Sequence, residues 1–200
     1  MSFTKNDRRE FLKRVSGTAA FAVCIPSSAF ASLISDKQIS DKQTKLNQVL
    51  HNNSKMKFKN LHTGEVLNTI ISANKTIATS EFSKINHICR DFRKNEIYQM
   101  DEQLILQLHN IQSVLKTDAE IQIISGYRSP ATNEALRSKS NNSGVAKKSF
   151  HMLGKAMDFR LEGVPLIDVR DAARDLAMGG VGYYPNSNFV HIDTGPVRTW

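Results

Sequence analysis

Two cysteines, one tryptophan and five prolines are spread over 200 residues. So few thiols exclude a disulfide-stapled scaffold and a multi-cysteine metal module. Cys24 falls inside the N-terminal segment discussed next, so Cys89 is left without an internal partner, and a helix core is its expected place. No apolar run approaches the roughly 20 residues that a membrane-spanning helix needs. Internal repeats are absent, which excludes solenoids and propellers. There is no basic stripe interleaved with aromatics and no nucleic-acid-binding motif. Apolar residues still make up 40% of the chain, enough for the core of one domain.

The first 31 residues read differently from the rest. A basic start is followed by a mostly apolar stretch from Val15 to Ile25 and then by Ala29-Phe30-Ala31, a small-x-small cleavage pattern. The stretch Arg8-Arg9-Glu10-Phe11-Leu12-Lys13 resembles a twin-arginine export signal. Residues 1–31 are therefore expected to be a signal peptide, cleaved after Ala31, that sends the protein to the periplasm. A basic N-terminal helix that stays attached is the alternative. Removing the segment takes five of 27 basic and two of 19 acidic residues and leaves a net charge of +5. That charge favours a polyanionic partner, and export makes nucleic acid the poorest candidate.

Residues 32–55 are rich in Ser, Lys, Asp, Gln and Asn and read as a polar lead-in. The domain proper is expected over 56–200. Met56–Ile71 has the pattern of a hairpin with a turn at His62-Thr63-Gly64-Glu65. Phe82, Ile85, Cys89 and Phe92 then fall on one helical face, with Ser80 placed to cap it. A second helix is expected over 101–116, with Leu104, Leu108, Ile111 and Leu115 as its stripe. Strand 120–124 precedes a short helix beginning at Pro130. Polar residues 138–149 read as a loop, 156–161 as a strand, and Pro165 opens a helix that closes at Gly179-Gly180. Strands 181–184 and 189–193 flank a turn at 185–188. The order lacks a regular βαβ rhythm, so the expected class is α+β: a small antiparallel sheet that carries the site and is flanked by helices. Nothing in the pattern calls for a second subunit, and a monomer is expected.

Two short runs carry the chemistry, SFHMLGKAMDFR at 149–160 and FVHIDTG at 189–195. Strand alternation turns Met157 and Phe159 one way and Asp158 the other, and separates Val190 and Ile192 from His191 and Asp193. Asp158 and His191 can therefore face a shared groove. His151 would lie roughly 23 Å from Asp158 if the seven intervening steps were extended. It joins the other two only if the chain doubles back, and Gly154 is the residue best able to permit that. Two histidines, one carboxylate and an open fourth position would form a catalytic rather than a structural zinc arrangement. Taken singly, each histidine is equally an ordinary packed or surface residue, and the spacing alone does not choose.

SGYRSPATNEALR, SFHMLGKAMDFR and GVGYYPNSNFVHIDTGPVRTW together resemble the murein endopeptidase K family. That family is a branch of the zinc peptidases that includes D-Ala-D-Ala carboxypeptidases and the hedgehog-like metal fold. The likeness runs from about residue 56 to Trp200 and is densest in the last eighty residues. It implies one Zn²⁺ held by His151, Asp158 and His191, and peptidoglycan as the partner. It also implies hydrolysis of direct cross-links between meso-diaminopimelate residues. A D,D-carboxypeptidase and a non-catalytic wall-binding module are the competing readings.

The resemblance places Arg128 beside the metal, as a partner for a developing oxyanion or as a structural ion-pair residue. Several relatives carry a glutamate or histidine three to five residues before the last ligand; this chain has Asn186, Ser187 and Asn188 there. Asp193 is the nearest carboxylate, about 6.6 Å from His191 along the strand. It is expected to act as the base, or else to accept the second ring N–H of the histidine. His109 and Glu162 are the fallbacks. Ser125, Ser129 and Asn133 have polar reach suited to substrate, and Tyr183 and Tyr184 are placed to wall a cleft. Ser129 is equally explained as a turn residue, and Trp200 is expected to pack against the body.

Overall fold

The computed structural model describes residues 54–72, 74–139 and 144–200. The expected signal peptide and residues 32–53 of the lead-in lie outside the described residues. The described chain opens with the expected hairpin, β1 (Ser54–Asn60) paired antiparallel with β2 (Val66–Ile71). Ser54 and Lys55 thus belong to a strand rather than to the lead-in. Asn60 forms the turn by accepting the His62 and Thr63 N–H groups on its side-chain oxygen.

Helix α1 spans Thr79–Ile88 and buries Phe82, Ile85 and Ile88. Its N-cap is Ala78, without a side-chain cap, so Ser80 lies inside the helix rather than at its start. Cys89 is fully buried just past the last turn, and burial pushes its thiol up to about 12. Phe92 leaves the helical stripe and stacks on His62 at 4.3 Å. Helix α2 (Glu102–Val114) is capped by the Asp101 carboxylate, which accepts from the Gln103 N–H. Then follow β3 (Ile121–Ser125), α3 (Pro130–Arg137), β4 (Ala156–Leu161) and α4 (Leu166–Leu176). The chain finishes with β5 (Gly180–Tyr184), β6 (Phe189–Asp193) and β7 (Arg198–Thr199).

The α+β class holds, but the sheet is neither small nor antiparallel. Seven strands lie in the order β2-β1-β3-β4-β6-β5-β7. β1 pairs parallel with β3, because two helices intervene and return the chain in the same direction. β7 pairs parallel with β5 along its outer edge. Two residues are too few to show an alternation, so β7 could not be read from the sequence.

Alternation fixes which face is buried. Phe58, Ile121, Ile123, Met157, Phe159, Val190 and Ile192 share one core with Ile85, Leu104, Leu108, Ile111, Val169 and Ala173 of α1, α2 and α4. Each large side chain removed from water there contributes roughly 1.5–3 kcal/mol. The intervening residues of β4 and β6, Asp158, His191 and Asp193, are left on the opposite face.

Between α3 and β4 a 3-10 turn, Phe150–Leu153, ends at Gly154 with φ of 66°. A Cβ there would also press on the Gln99 carbonyl oxygen. Gly154→Ala should therefore destabilise the domain by about 2–3 kcal/mol. In a melting experiment followed by circular dichroism, the midpoint should fall by roughly 5–10 °C.

Candidate metal centre

Strand register builds two-thirds of the site. Ser125 pairs with Asp158, Asp158 with His191, and His191 with Gly182, so the four form one row across β3, β4, β6 and β5. Neighbours in such a row have Cβ atoms about 4.5–5.5 Å apart. His191 Nδ1 lies 2.8 Å from Asp158 Oδ1. His151 enters from outside the sheet, on the 3-10 turn. The Ser149 hydroxyl accepts the His151 N–H at 3.3 Å, and the Arg128 N–H donates to the His151 carbonyl at 3.2 Å. With the chain reversed at Gly154, His151 Nε2 reaches 3.3 Å from Asp158 Oδ2. The two imidazoles stand 5.1 Å apart with planes at 64°.

Each ring is held from behind. His151 Nδ1 lies 2.7 Å from the Gly126 carbonyl oxygen and donates to it, which leaves Nε2 facing Asp158. His191 Nε2 lies 3.1 Å from Asp193 Oδ2, which leaves Nδ1 facing Asp158. The ligand atoms of the three residues all lie within 4.8 Å of one another. Ligands 2.0–2.2 Å from a tetrahedral ion would be about 3.3–3.6 Å apart. Two imidazole nitrogens and a carboxylate converging at this spacing suit a divalent ion with nitrogen and oxygen ligands.

The glycines of β5 make room for the last strand. A Cβ on Gly182 would lie 2.7 Å from the Trp200 indole, and one on Gly180 would strike the Arg198 guanidinium. Arg198 therefore lies over Gly180 and grips Asp193, with Nη1 3.0 Å from Oδ1 and Nη2 2.6 Å from Oδ2. Asp193 also accepts the Gly195 N–H at 2.9 Å and the Gly180 N–H at 3.3 Å, and it is fully buried.

Burial pushes the Asp158 carboxyl up, but His151 and His191 outweigh it and hold the group well below the usual carboxylate range. Asp193 behaves likewise, with burial opposed by His191, Arg198 and the Gly195 N–H. Burial lowers His191, yet Asp158 and Asp193 overcome this and push it up to about 9. Arg128 is 9% exposed. Its Nη2 donates to Ser125 Oγ at 3.1 Å, its Nη1 donates to Asn133 Oδ1 at 3.4 Å, and it stands 3.5 Å from Asp158. Its Nε is buried without a hydrogen-bond partner among the described residues.

The triad opens into a cleft of about 490 Å³ whose walls include Arg128, Lys148, Tyr184, Phe189, Arg198 and Trp200. Of the residues expected to touch substrate, Tyr184 lines this cleft. Ser125 stands behind Arg128 as its acceptor. Ser129 is the N-cap of α3, and its hydroxyl donates to the buried Asp91 at 2.7 Å. Asn133 donates to the Ala146 carbonyl at 3.0 Å as well as accepting from Arg128. Both are 2% exposed and support the loop behind the cleft rather than lining it. Tyr183 alternates with Tyr184 and lies outside the cleft, against Arg170. Asp193 belongs to the cleft lining but is fully buried beneath His191. His109 and Glu162 are not among the residues that line it. Sequence reasoning missed Arg198, Lys148 and Phe189 and underread Trp200. The signal available was Gly180-Val181-Gly182, a strand with alternate side chains removed.

Fold and site together define an α+β protein with a candidate divalent-metal centre that faces a cleft. A family model described as peptidoglycan L,D-endopeptidase MepK matches residues 48–200. The chain is 44% identical over 194 residues to the peptidoglycan L,D-endopeptidase MepK of Escherichia coli (strain K12), covering 97% of both chains. The protein of that name from Shigella flexneri aligns with the same identity and coverage. A probable peptidoglycan L,D-endopeptidase MepK from Haemophilus influenzae is 49% identical over 144 residues, which is 72% of this chain and 76% of that protein. No solved structure matches the chain. The chain belongs to the peptidoglycan L,D-endopeptidase MepK family.

A metal held by this triad would compete with a proton for His191 Nδ1. Affinity should therefore fall by up to about tenfold for each pH unit below about 9 and level off above it, as read by titrating metal-free protein with zinc. Asp158→Ala should abolish stoichiometric binding in the same titration.

Proposed function

We propose that this protein is a zinc-dependent murein endopeptidase that hydrolyses direct meso-diaminopimelate cross-links of peptidoglycan in the periplasm. It would be exported by the twin-arginine route and act as a single chain, since all three ligands come from one copy. The observation that carries this reading is the convergence of His151, Asp158 and His191 in an open cleft, in a chain of this family. Held by His151, Asp158 and His191, zinc would supply Lewis acidity for activating water and polarising a carbonyl.

The remaining work falls to the chain. Gly126 and Asp193 hold the two imidazoles so that Nε2 of His151 and Nδ1 of His191 face Asp158, where the three residues would hold the ion. We assign Asp193 this positioning duty rather than proton transfer, because Arg198, two backbone N–H groups and His191 already occupy its buried carboxylate. Arg128 is fixed by Ser125 and Asn133 beside Asp158, where its charge meets a developing oxyanion in a poorly hydrated setting. Lys148, exposed on the rim, attracts the carboxylates of the stem peptides.

One observation favours a second reading. Both carboxylates that line the cleft, Asp158 and Asp193, are engaged, so no free carboxylate base stands there among the described residues. A wall-binding module that holds a metal without cutting would have such a site. Digestion of purified muropeptides by the protein, with and without a chelator, separates the readings. Loss of directly cross-linked dimers, reversed by the chelator, is expected. Loss of a terminal alanine alone would mean a D,D-carboxypeptidase, and binding to sacculi without products would mean the module.

Two variants test the assigned roles. Arg128→Ala should lower kcat by about 10²–10³-fold with metal retained. Asp193→Asn should weaken zinc about 10–100-fold. Its turnover should return at saturating zinc; failure to return would restore Asp193 as the base.

A further inference from the structure

The cleft has a neighbour. On the other side of Trp200 a groove of about 280 Å³ is lined by Arg170, Arg174, Val181, Tyr183, Thr199 and Trp200. It lies where α4 meets the β5–β7 edge of the sheet, and Trp200 is half-exposed and lines both hollows. Arg170 and Arg174 are one helical turn apart and so project from the same face of α4. The Arg170 guanidinium lies over the Tyr183 ring at 4.7 Å and is paired on one side with Asp171 at 2.7 Å. Stacking of this kind fixes the plane of the guanidinium and keeps its remaining N–H groups at the edge. Arg174 is exposed and has neither an ion pair nor a side-chain hydrogen bond among the described residues. None of the six lining residues is acidic.

Two like charges at this spacing repel each other, and an anion between them removes the repulsion. Guanidinium groups match carboxylates through paired N–H donors. We propose that this groove is a second subsite, which takes a carboxylate-bearing stretch of stem peptide while the bond to be cut lies in the neighbouring cleft. The proposal rests on the peptidoglycan reading above. That substrate is a polymer longer than the cleft, and its peptides carry free carboxylates on either side of a cross-link. Trp200 is common to both hollows, so a strand leaving the cleft would round the sheet edge past the indole to reach the arginine groove. An anionic membrane surface would also attract arginines, but it offers no reason for the groove to adjoin the cleft.

The test compares the full chain with Arg174→Glu and Arg174→Lys. Turnover of intact sacculi by the glutamate variant should show KM raised about fivefold or more with kcat little changed, and lysine should restore most of the loss. The difference should vanish on muropeptides whose stem carboxylates are amidated. Co-sedimentation with sacculi in chelator, where nothing is cut, should weaken in parallel and should lose its salt dependence. Unchanged sedimentation and KM in Arg174→Glu would overturn the proposal. So would an equal loss on amidated muropeptides, or a loss confined to phosphatidylglycerol vesicles, which would assign the arginines to a membrane. If wild-type protein cuts no peptidoglycan, the enzymatic reading fails, while sedimentation in chelator still decides the groove.

Discussion

The site depends on holding one carboxylate, Asp158, between two imidazoles and largely out of water. A lone buried carboxylate is expensive, by several kcal/mol even after relaxation, and it persists only when positive charge and donors surround it. Here three groups arrive from three directions: His191 from the adjacent strand, His151 from the 3-10 turn, and Arg128 from the loop after β3. Each of them is in turn held by a neighbour that has no direct part in the triad. The Gly126 carbonyl, the Asp193 carboxylate and the Ser125 hydroxyl set ring and guanidinium orientation, so the centre is ordered by its surroundings.

The surroundings follow from what β5 lacks. Removing side chains at positions 180 and 182 leaves a trough on the site face, and the last strand fills it with Arg198 and Trp200. Arg198 then neutralises Asp193, while the indole stands 5.3 Å from the His191 ring and donates its N–H to the Tyr184 hydroxyl at 2.7 Å. Tyr184 stacks on Phe189 in turn, at 4.5 Å. A wall of aromatic side chains thus descends from two glycines. The same edge strand separates the cleft from the arginine groove, so the sheet edge shapes both hollows.

The hairpin, the three longer helices and strands β3 to β6 were legible in the sequence, because each carries a period that burial must respect. Met157 and Phe159 against Asp158, and Val190 and Ile192 against His191, sorted faces without any knowledge of partners. Ser129 and Asn133 show the limit of such reading. Polar residues in a promising loop look the same whether they face substrate or support the loop, and only Asp91 and Ala146 reveal that these two face inward. Phe92 shows another limit: it continues the helical period of α1 after the helix has ended, because a stripe does not encode where the chain turns away.

By itself, the sequence determined the α+β character, the alternation that exposes Asp158 and His191, and the need for a reversal at Gly154. Those are properties of local backbone stereochemistry and of apolar spacing, which do not depend on distant residues. Tertiary structure alone decided that β1 and β3 run parallel, that Asp158 and His191 stand opposite each other, and that Arg198 rather than water meets Asp193. Register, strand order and the partner of a buried charge are set by contacts between segments far apart in the chain. A one-residue slip in any of them would leave every local pattern intact and dismantle the site.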